Sequence, residues 1–437
     1  GGGDTLQPSR QALDLVAQAI EIYDQSESDA TALFAQAMAL DSQPLFIESG
    51  ELVGHKGSVM LGEFVTDDKL VTVADEILLW QPDTLEPTRL PGHTDAITVI
   101  SPNPGGDRLV TSGYDTTPRV WNLTVDEVAQ SALPLKGHSE GVLATAWHPT
   151  EPIVVSTSND PGIGIWQLGR ATDSSPQGTV AKQHQFRTES LMRRDCIAFE
   201  SQGRWLATIS DPIGEMRSVL AYSWPDVSAT LTSPASPQPV SVTTAIKARV
   251  MQFASDQGDD ATLVVGDDDG AVSLYALSDP PQLVSRAIAH STFVETMKVV
   301  STKNSDIVVS GSSDGTVHWW QTGATDEKRS QSLSAEPVSS VDVSSAGRWV
   351  AAGCHDGTVW LWDTSGSTEN MVRLDTGSMV HFVRIDPRGR WLIAGCDDGI
   401  VRRWDLRWVK LLAVLSPTPI EVEIDGPIKT IDSQPLA

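Results

Sequence analysis

The sequence predicts an all-β chain of eight small repeated sheets behind a short helical segment. Two observations carry that expectation. GCHDGTVWLWD (Gly353 to Asp363) and GCDDGIVRRWD (Gly395 to Asp405) are near copies starting 42 residues apart, and a unit so short must bury its apolar face against a neighbour. Tryptophan is abundant, 14 against 4 Tyr and 8 Phe, which points to one aromatic type recurring at fixed places.

Length and composition bound the rest. At 437 residues a repeat array escapes the size limit of a single core, because each unit contacts only its neighbours. The net charge of −26 argues against broad binding to nucleic acid or to an anionic membrane surface. No apolar run reaches the roughly 18 residues of a membrane helix and no signal-peptide pattern opens the chain, so the expected setting is cytoplasmic, without membrane insertion. Three cysteines fit a reducing compartment; Cys354 and Cys396 occupy equivalent repeat positions, where a small apolar strand residue is expected, and Cys196 stands apart.

Taken in order, residues 1–44 read as an N-terminal helical hairpin. Leu13, Val16, Ala17 and Ile20 form an i, i+3, i+4, i+7 stripe behind a cap at Ser9. Ser28 or Asp29 can cap a second helix carrying Leu33, Phe34, Ala37, Met38 and Leu40. Residues 45–415 switch to short alternating runs such as LVTSG, IVVSGS and WLIAGC, separated by Gly, Asp, Asn and Pro, the pattern of strands. Aromatic residues closing the repeated strands are counted at Trp80, Trp121, Trp166, Trp224, Tyr275, Trp320, Trp362 and Trp404, which gives eight units. Seven is the alternative, because unit one has Asp75 only five residues ahead of Trp80. Gly203-Arg204-Trp205, Gly347-Arg348-Trp349 and Gly389-Arg390-Trp391 mark the register again, the glycine turning the chain and the strand opening at Trp. Residues 416–437, with IEVEI between prolines, form a C-terminal tail that is either an edge strand or irregular.

Gly54-His55, Gly92-His93 and Gly137-His138, each followed by Asp and then Trp, resemble the WD-repeat β-propeller family over about residues 50–410. The resemblance implies a ring of four-stranded blades, each held by a hydrogen-bonded chain of His, Ser or Thr, Asp and Trp. Three units match all four positions: His93, Thr111 or Ser112, Asp115 and Trp121; His138, Ser156, Asp160 and Trp166; His290, Ser310, Asp314 and Trp320. Ala352 and Ala394 stand where the hydroxyl belongs in units seven and eight, and Tyr275 replaces Trp in unit five. The family's habit of sharing one blade between the chain's ends puts Pro44 to Gly50 beside Val409 to Leu415. A helix pair ahead of a propeller also resembles the C-terminal WD-repeat sensor region of bacterial multidomain signalling proteins.

Ser, His and Asp are the residue types of a hydrolase triad, but a trio repeated in three units with Trp attached reads as structural, since a catalytic site is built once. Asp267-Asp268-Asp269-Gly270 lacks the spacing of a calcium loop and reads as an acidic turn. No phosphate-loop, HExxH, CxxC or GxSxG string occurs, so no catalytic residue, metal or other cofactor is expected.

The resemblance directs function to residues just before each innermost strand, around the central channel. They are Lys56, Ser58, Asp95, Glu140, Met192, Arg193, Lys247, Arg249, Thr292, Phe293, Glu336, Ser378 and Met379. Basic residues gather in units four and five, with Arg187 and Arg194 nearby, and Phe293 and Met379 add apolar contact. The expected partner is a protein or peptide, acidic or phosphorylated, with other domains of a larger signalling chain as further candidates. The alternative is a propeller enzyme or small-ligand binder at the channel mouth, which would need converging polar groups outside the four-residue chains.

Overall fold

The computed structural model describes residues 10–23, 25–40, 49–81, 86–160, 162–169, 178–187, 197–210, 217–232, 237–242, 247–254, 261–278, 280–302, 305–322, 329–364, 371–407 and 420–422. Short alternating runs bounded by Gly and Asp fold into eight antiparallel sheets, or blades. Blade 1 comprises Leu61–Thr66, Lys69–Val73, Ile77–Trp80 and Pro87–Leu90. Blades 2 to 8 open with Ile97–Pro102, Val142–Trp147, Ile197–Phe199, Ala248–Phe253, Val294–Ser301, Val338–Val343 and Val380–Ile385. These first strands pack side by side in succession, and that of blade 8 meets that of blade 1, so they form the inner wall of a closed ring. The top face is the one on which they begin.

The shared blade exists, in a register the sequence does not predict. Ser49–Val53 pairs antiparallel with Ile400–Asp405, placing Glu51 opposite Arg402, and becomes the outer strand of blade 8. The strand ending at Asp405 is only third in its blade, so the open edge beside it takes the N-terminal strand; Val409 to Leu415 lies outside the described residues. In the tail, Ile420–Val422 adds a parallel fifth strand to blade 7 along Val372–Asp375.

Apolar layers between blades hold the ring. Leu52, Phe64, Leu70, Trp80, Phe382, Trp391 and Val401 join blades 8 and 1, each buried side chain contributing on the order of 2 kcal/mol. Gly62 and Gly395 are required there, because a β-carbon on either would lie 2.1 or 2.0 Å from the Phe382 ring. Gly357, at φ +89°, shows why the Asp-Gly turns carry glycine: the left-handed region strains other residues.

The count of eight stands, with a different aromatic in unit four. Leu206 faces Tyr222 as Val350 faces Trp362 and Leu392 faces Trp404. Tyr222, not Trp224, therefore closes that strand. Pro225 lacks the N–H to continue the ladder, so the chain leaves the sheet and Trp224–Ala229 forms a short helix. Trp224 instead packs 4.7 Å from His148 and 4.9 Å from Phe199.

Helix α1 (Arg10–Ile22) and helix α2 (Glu27–Leu40) pack together and onto blades 7 and 8. Val16, Ala19, Ala30, Phe34 and Ala37 share one core with Trp349, Ile385, Trp404 and Leu406. Helix α2 begins earlier than Ser28 or Asp29 suggests: Ser26 Oγ accepts the Asp29 N–H at 3.3 Å, so Ser26 is the cap. Arg348 grips Glu27 through two 3.1 Å hydrogen bonds and Asp363 through one of 2.7 Å.

Candidate functional site

In blade 2 the four-residue chain is unbroken. Trp121 Nε1 donates to Thr111 Oγ1 at 2.9 Å, Thr111 Oγ1 lies 2.8 Å from His93 Nε2, and His93 Nδ1 lies 2.9 Å from Asp115 Oδ2. With Nδ1–H on the carboxylate, Nε2 accepts from Thr111 and every group has a partner. Thr111 rather than Ser112 is the relay. Blade 1 repeats part of it: His55 Nε2 lies 2.7 Å from Thr72 Oγ1, which accepts from Trp80 Nε1 at 2.7 Å. Thr72 escapes the sequence reading because the short turn of unit one puts the hydroxyl eight, not ten, residues ahead of Trp.

Blades 3 and 6 depart from the expected chain. His138 lies 2.6 Å from Ser156 Oγ and 3.1 Å from Asp160, but the Trp166 indole N–H has no partner. Gly164 faces Ser156, and the indole lies over it, where a β-carbon would come within 2.1 Å of the ring. In blade 6, His290 Nε2 meets Ser310 Oγ at 2.8 Å, while Nδ1 meets Thr316 Oγ1, which donates to Asp314 at 2.6 Å. Thr316 is thus inserted between His290 and Asp314, a role the spacing does not reveal; Trp320 is buried in the apolar layer beside them. Ser156 and Ser310 are wholly buried, so their triad-like geometry has no route to a substrate.

Burial keeps these imidazoles neutral. It pushes His55 down to about 4, with Arg89 helping and Asp75 opposing, and His290 to about 4, with His318 helping and Asp314 opposing. His93 and His138 are lowered by burial as well. Burial raises Asp314, yet hydrogen bonds from Thr316 and Ser291 outweigh it and hold the carboxyl at about 2.

Blades 7 and 8 show the cost of Ala352 and Ala394. The buried Trp362 and Trp404 indoles have no acceptor for their N–H groups, leaving apolar packing to hold these blades. Burial, then Asp356, pushes the Cys354 thiol up to about 12, and burial raises Cys396 too, which makes both poor nucleophiles. Among the described residues no three His, Cys, Asp or Glu side chains gather as a metal site.

At the channel mouth, Arg249 and Phe293 meet between blades 5 and 6, and Lys247 stands two residues ahead of Arg249 on the same stretch of chain. The Arg249 guanidinium lies 3.8 Å from the centre of the Phe293 ring, 2.7 Å from Glu295 and 3.3 Å from Asp268. Arg217 reaches the same Asp268 at 3.1 Å and bridges to Lys247 through the backbone. Sequence reading finds the cations but misses Arg217 and the two carboxylates the fold brings to them. Met379, 40% exposed, stands apart in blade 8, while Asp95, Glu140 and Glu336 are exposed around the rim. Arg187 ends the outer strand of blade 3, Val180–Arg187, away from the inner wall. Met192, Arg193 and Arg194 lie outside the described residues.

Further ion pairs cross between innermost strands. Arg384 reaches Glu63 at 2.7 Å and Ser340 at 3.2 Å, and Lys298 reaches Asp342 at 3.3 Å, which holds the lysine above its ordinary range. These are converging polar groups outside the four-residue chains, and each cation already has an anion.

Eight blades, closure by an N-terminal strand and the His-Thr-Asp-Trp chain together define a WD-repeat β-propeller, an architecture typical of protein-interaction scaffolds. Residues 86–122, 130–167, 282–321, 327–363 and 369–405 match the family described as WD domain, G-beta repeat. Blade 4 and the first three strands of blades 1 and 5 lie outside these matches, and these are the blades with the short turn or with Tyr in place of Trp. The chain is similar to eukaryotic translation initiation factor 3 subunit I of Candida albicans, 25% identical over 220 residues, 49% of this chain and 57% of that protein. It is similar to telomerase protein component 1 of Mus musculus, 27% identical over 146 residues, 30% of this chain and 5% of that one. The chain thus spans less than two thirds of either relative. Among solved structures, Sqt1 from Chaetomium thermophilum superposes with a TM-score of 0.65 at 20% identity, covering 82% of this chain and 98% of that one. Sqt1 bound to the N-terminus of the ribosomal protein L10 gives 0.63 at 20% identity, with 81% and 98% covered. That likeness is one of fold. No helix among the described residues is long and apolar enough to cross a membrane.

Proposed function

We propose that the protein is a noncatalytic, cytoplasmic recognition module that binds a protein or peptide segment on the top face, where blades 5 and 6 meet the channel mouth. The observation that carries this reading is the Arg249 guanidinium placed over the Phe293 ring, 3.8 Å from its centre, a paired cationic and apolar surface that belongs to none of the four-residue chains. The architecture supports it, as does the bound ribosomal-protein segment in the Sqt1 structure. The helix pair ahead of the propeller fits the sensor end of a larger signalling assembly.

The partner class is an acidic or phosphorylated segment, whose anion exchanges with Asp268 or Glu295 on Arg249 and gains charge-assisted bonds from Lys247. A small-ligand site in the channel has less support, because Lys298 and Arg384 are balanced by Asp342 and Glu63, whereas Arg217, Lys247 and Arg249 outnumber Asp268 and Glu295 by one charge. The test is fluorescence anisotropy with acidic, phosphorylated, neutral and basic peptides. Binding of the acidic members should weaken about tenfold in Lys247→Glu and in Phe293→Ala. Equal binding of all four classes, or no effect of either substitution, refutes the reading.

A further inference from the structure

The eight outer strands meet solvent differently. A sheet edge offers unpaired backbone donors and acceptors and recruits another strand unless it is blunted. Pro87 and Pro134 blunt blades 1 and 2, and the outer strand of blade 4, Val240–Ser241, has only two residues. Blade 3 carries Lys182, blade 6 ends in the polar Arg329–Ser332, and blade 8 carries Gly50 and Glu51. Blade 7 is covered by Ile420–Val422.

Blade 5 has neither proline nor shortness nor a covering strand, and its one edge charge, Arg286, is paired with Asp267 of its own blade. Its outer strand, Gln282–Ile288, runs for seven residues, and among the described residues no further strand pairs with it. Leu283 is 54% exposed, Val284 63% and Ile288 80%. Among the described residues, one strand thus holds three of the seven exposed large apolar side chains, a concentration that marks an interaction surface.

We propose that this edge docks an extended segment of a partner protein as a fifth strand, with aliphatic and acidic residues in alternation. Blade 7 indicates the chemistry of the occupant: the strand it accepts is Ile420-Glu421-Val422, with Glu421 opposite Arg373 of the edge. The edge of blade 5 carries a like arginine, Arg286, its only charged residue, which is 34% exposed and paired at 2.8 Å with Asp267 of its own blade. Backbone hydrogen bonds supply affinity, aliphatic side chains cover Leu283, Val284 and Ile288, and a glutamate opposite Arg286 sets the register. This surface lies on the outer rim, separate from the channel mouth, and is independent of the function proposed there.

The probe is a labelled peptide with the sequence of residues 419–425, Pro-Ile-Glu-Val-Glu-Ile-Asp, added to the full chain and followed by fluorescence anisotropy. Saturable binding is expected, weakened about tenfold or more by Leu283→Ser, Val284→Ser and Ile288→Ser together. Arg286→Gln, which leaves the apolar edge intact, should weaken it several-fold, and Arg373→Glu on blade 7 should leave it unchanged. No binding, or binding insensitive to the blade 5 substitutions, overturns the proposal. Loss in Arg373→Glu alone would place the peptide on blade 7 and overturn it equally.

Discussion

The fate of one indole N–H separates the blades at the scale of single residues. Trp121 and Trp404 are both fully buried, but Trp121 donates to Thr111 whereas Trp404 faces a blade in which Ala394 has replaced the hydroxyl. Trp121→Phe should therefore cost about 1 kcal/mol more than Trp404→Phe, measured by urea denaturation. Equal costs would mean that the chain in blade 2 contributes no net stability. Much of this contrast is legible in the sequence, because Ala352 and Ala394 are visible at their repeat positions. The insertion of Thr316 and the displacement of Trp166 over Gly164 are not, since both depend on which rotamer the neighbouring strand leaves room for.

Among the elements, the helical hairpin is held in two unequal ways. Phe34 is fully buried between the helices and blades 7 and 8, whereas Arg348 and Glu27 form a pair with side chains 40% and 43% exposed. Phe34→Ala should cost about 3 to 5 kcal/mol and speed proteolysis within residues 10–40. Arg348→Ala should cost about 1 kcal/mol or less and leave the cleavage rate nearly unchanged. If the arginine change alone releases the hairpin, ion pairing rather than apolar packing docks it. Helical periodicity announces two helices and, of their buried residues, Val16, Phe34 and Ala37 but not Ala19 or Ala30. Their seat on the ring is not announced, because Trp349, Ile385 and Leu406 are also ordinary strand or strand-end residues of their own blades.

Around the whole ring, buried neutral histidines in blades 1, 2, 3 and 6 give the molecule a common acid sensitivity. Their folded-state values lie below the ordinary value of 6.5, so the stability they contribute is fully present above 6.5 and is lost as the pH falls towards about 4, the value of His55 and His290. Asp314, held at about 2, adds stability that is present above 3.8 and lost at still lower pH. The urea midpoint should fall between about pH 7 and about pH 5, and His290→Gln should flatten that slope. A midpoint independent of pH over that window would show that the imidazoles are not buried in their neutral form.

The sequence by itself determined the repeat, the all-β class, the count of eight and the residue types of the blade chains, because these follow from local alternation and from spacing within a unit of about 40 residues. Only the tertiary structure decided that Tyr222 rather than Trp224 closes blade 4, that Ser49–Val53 completes blade 8, and that Asp268 and Glu295 stand against Arg249. Each of those is a pairing between residues from different strands or blades. A period in the sequence names the positions that repeat, but which distant backbone edge or carboxylate meets them is set by closing the ring, when neighbouring blades compete for the same space.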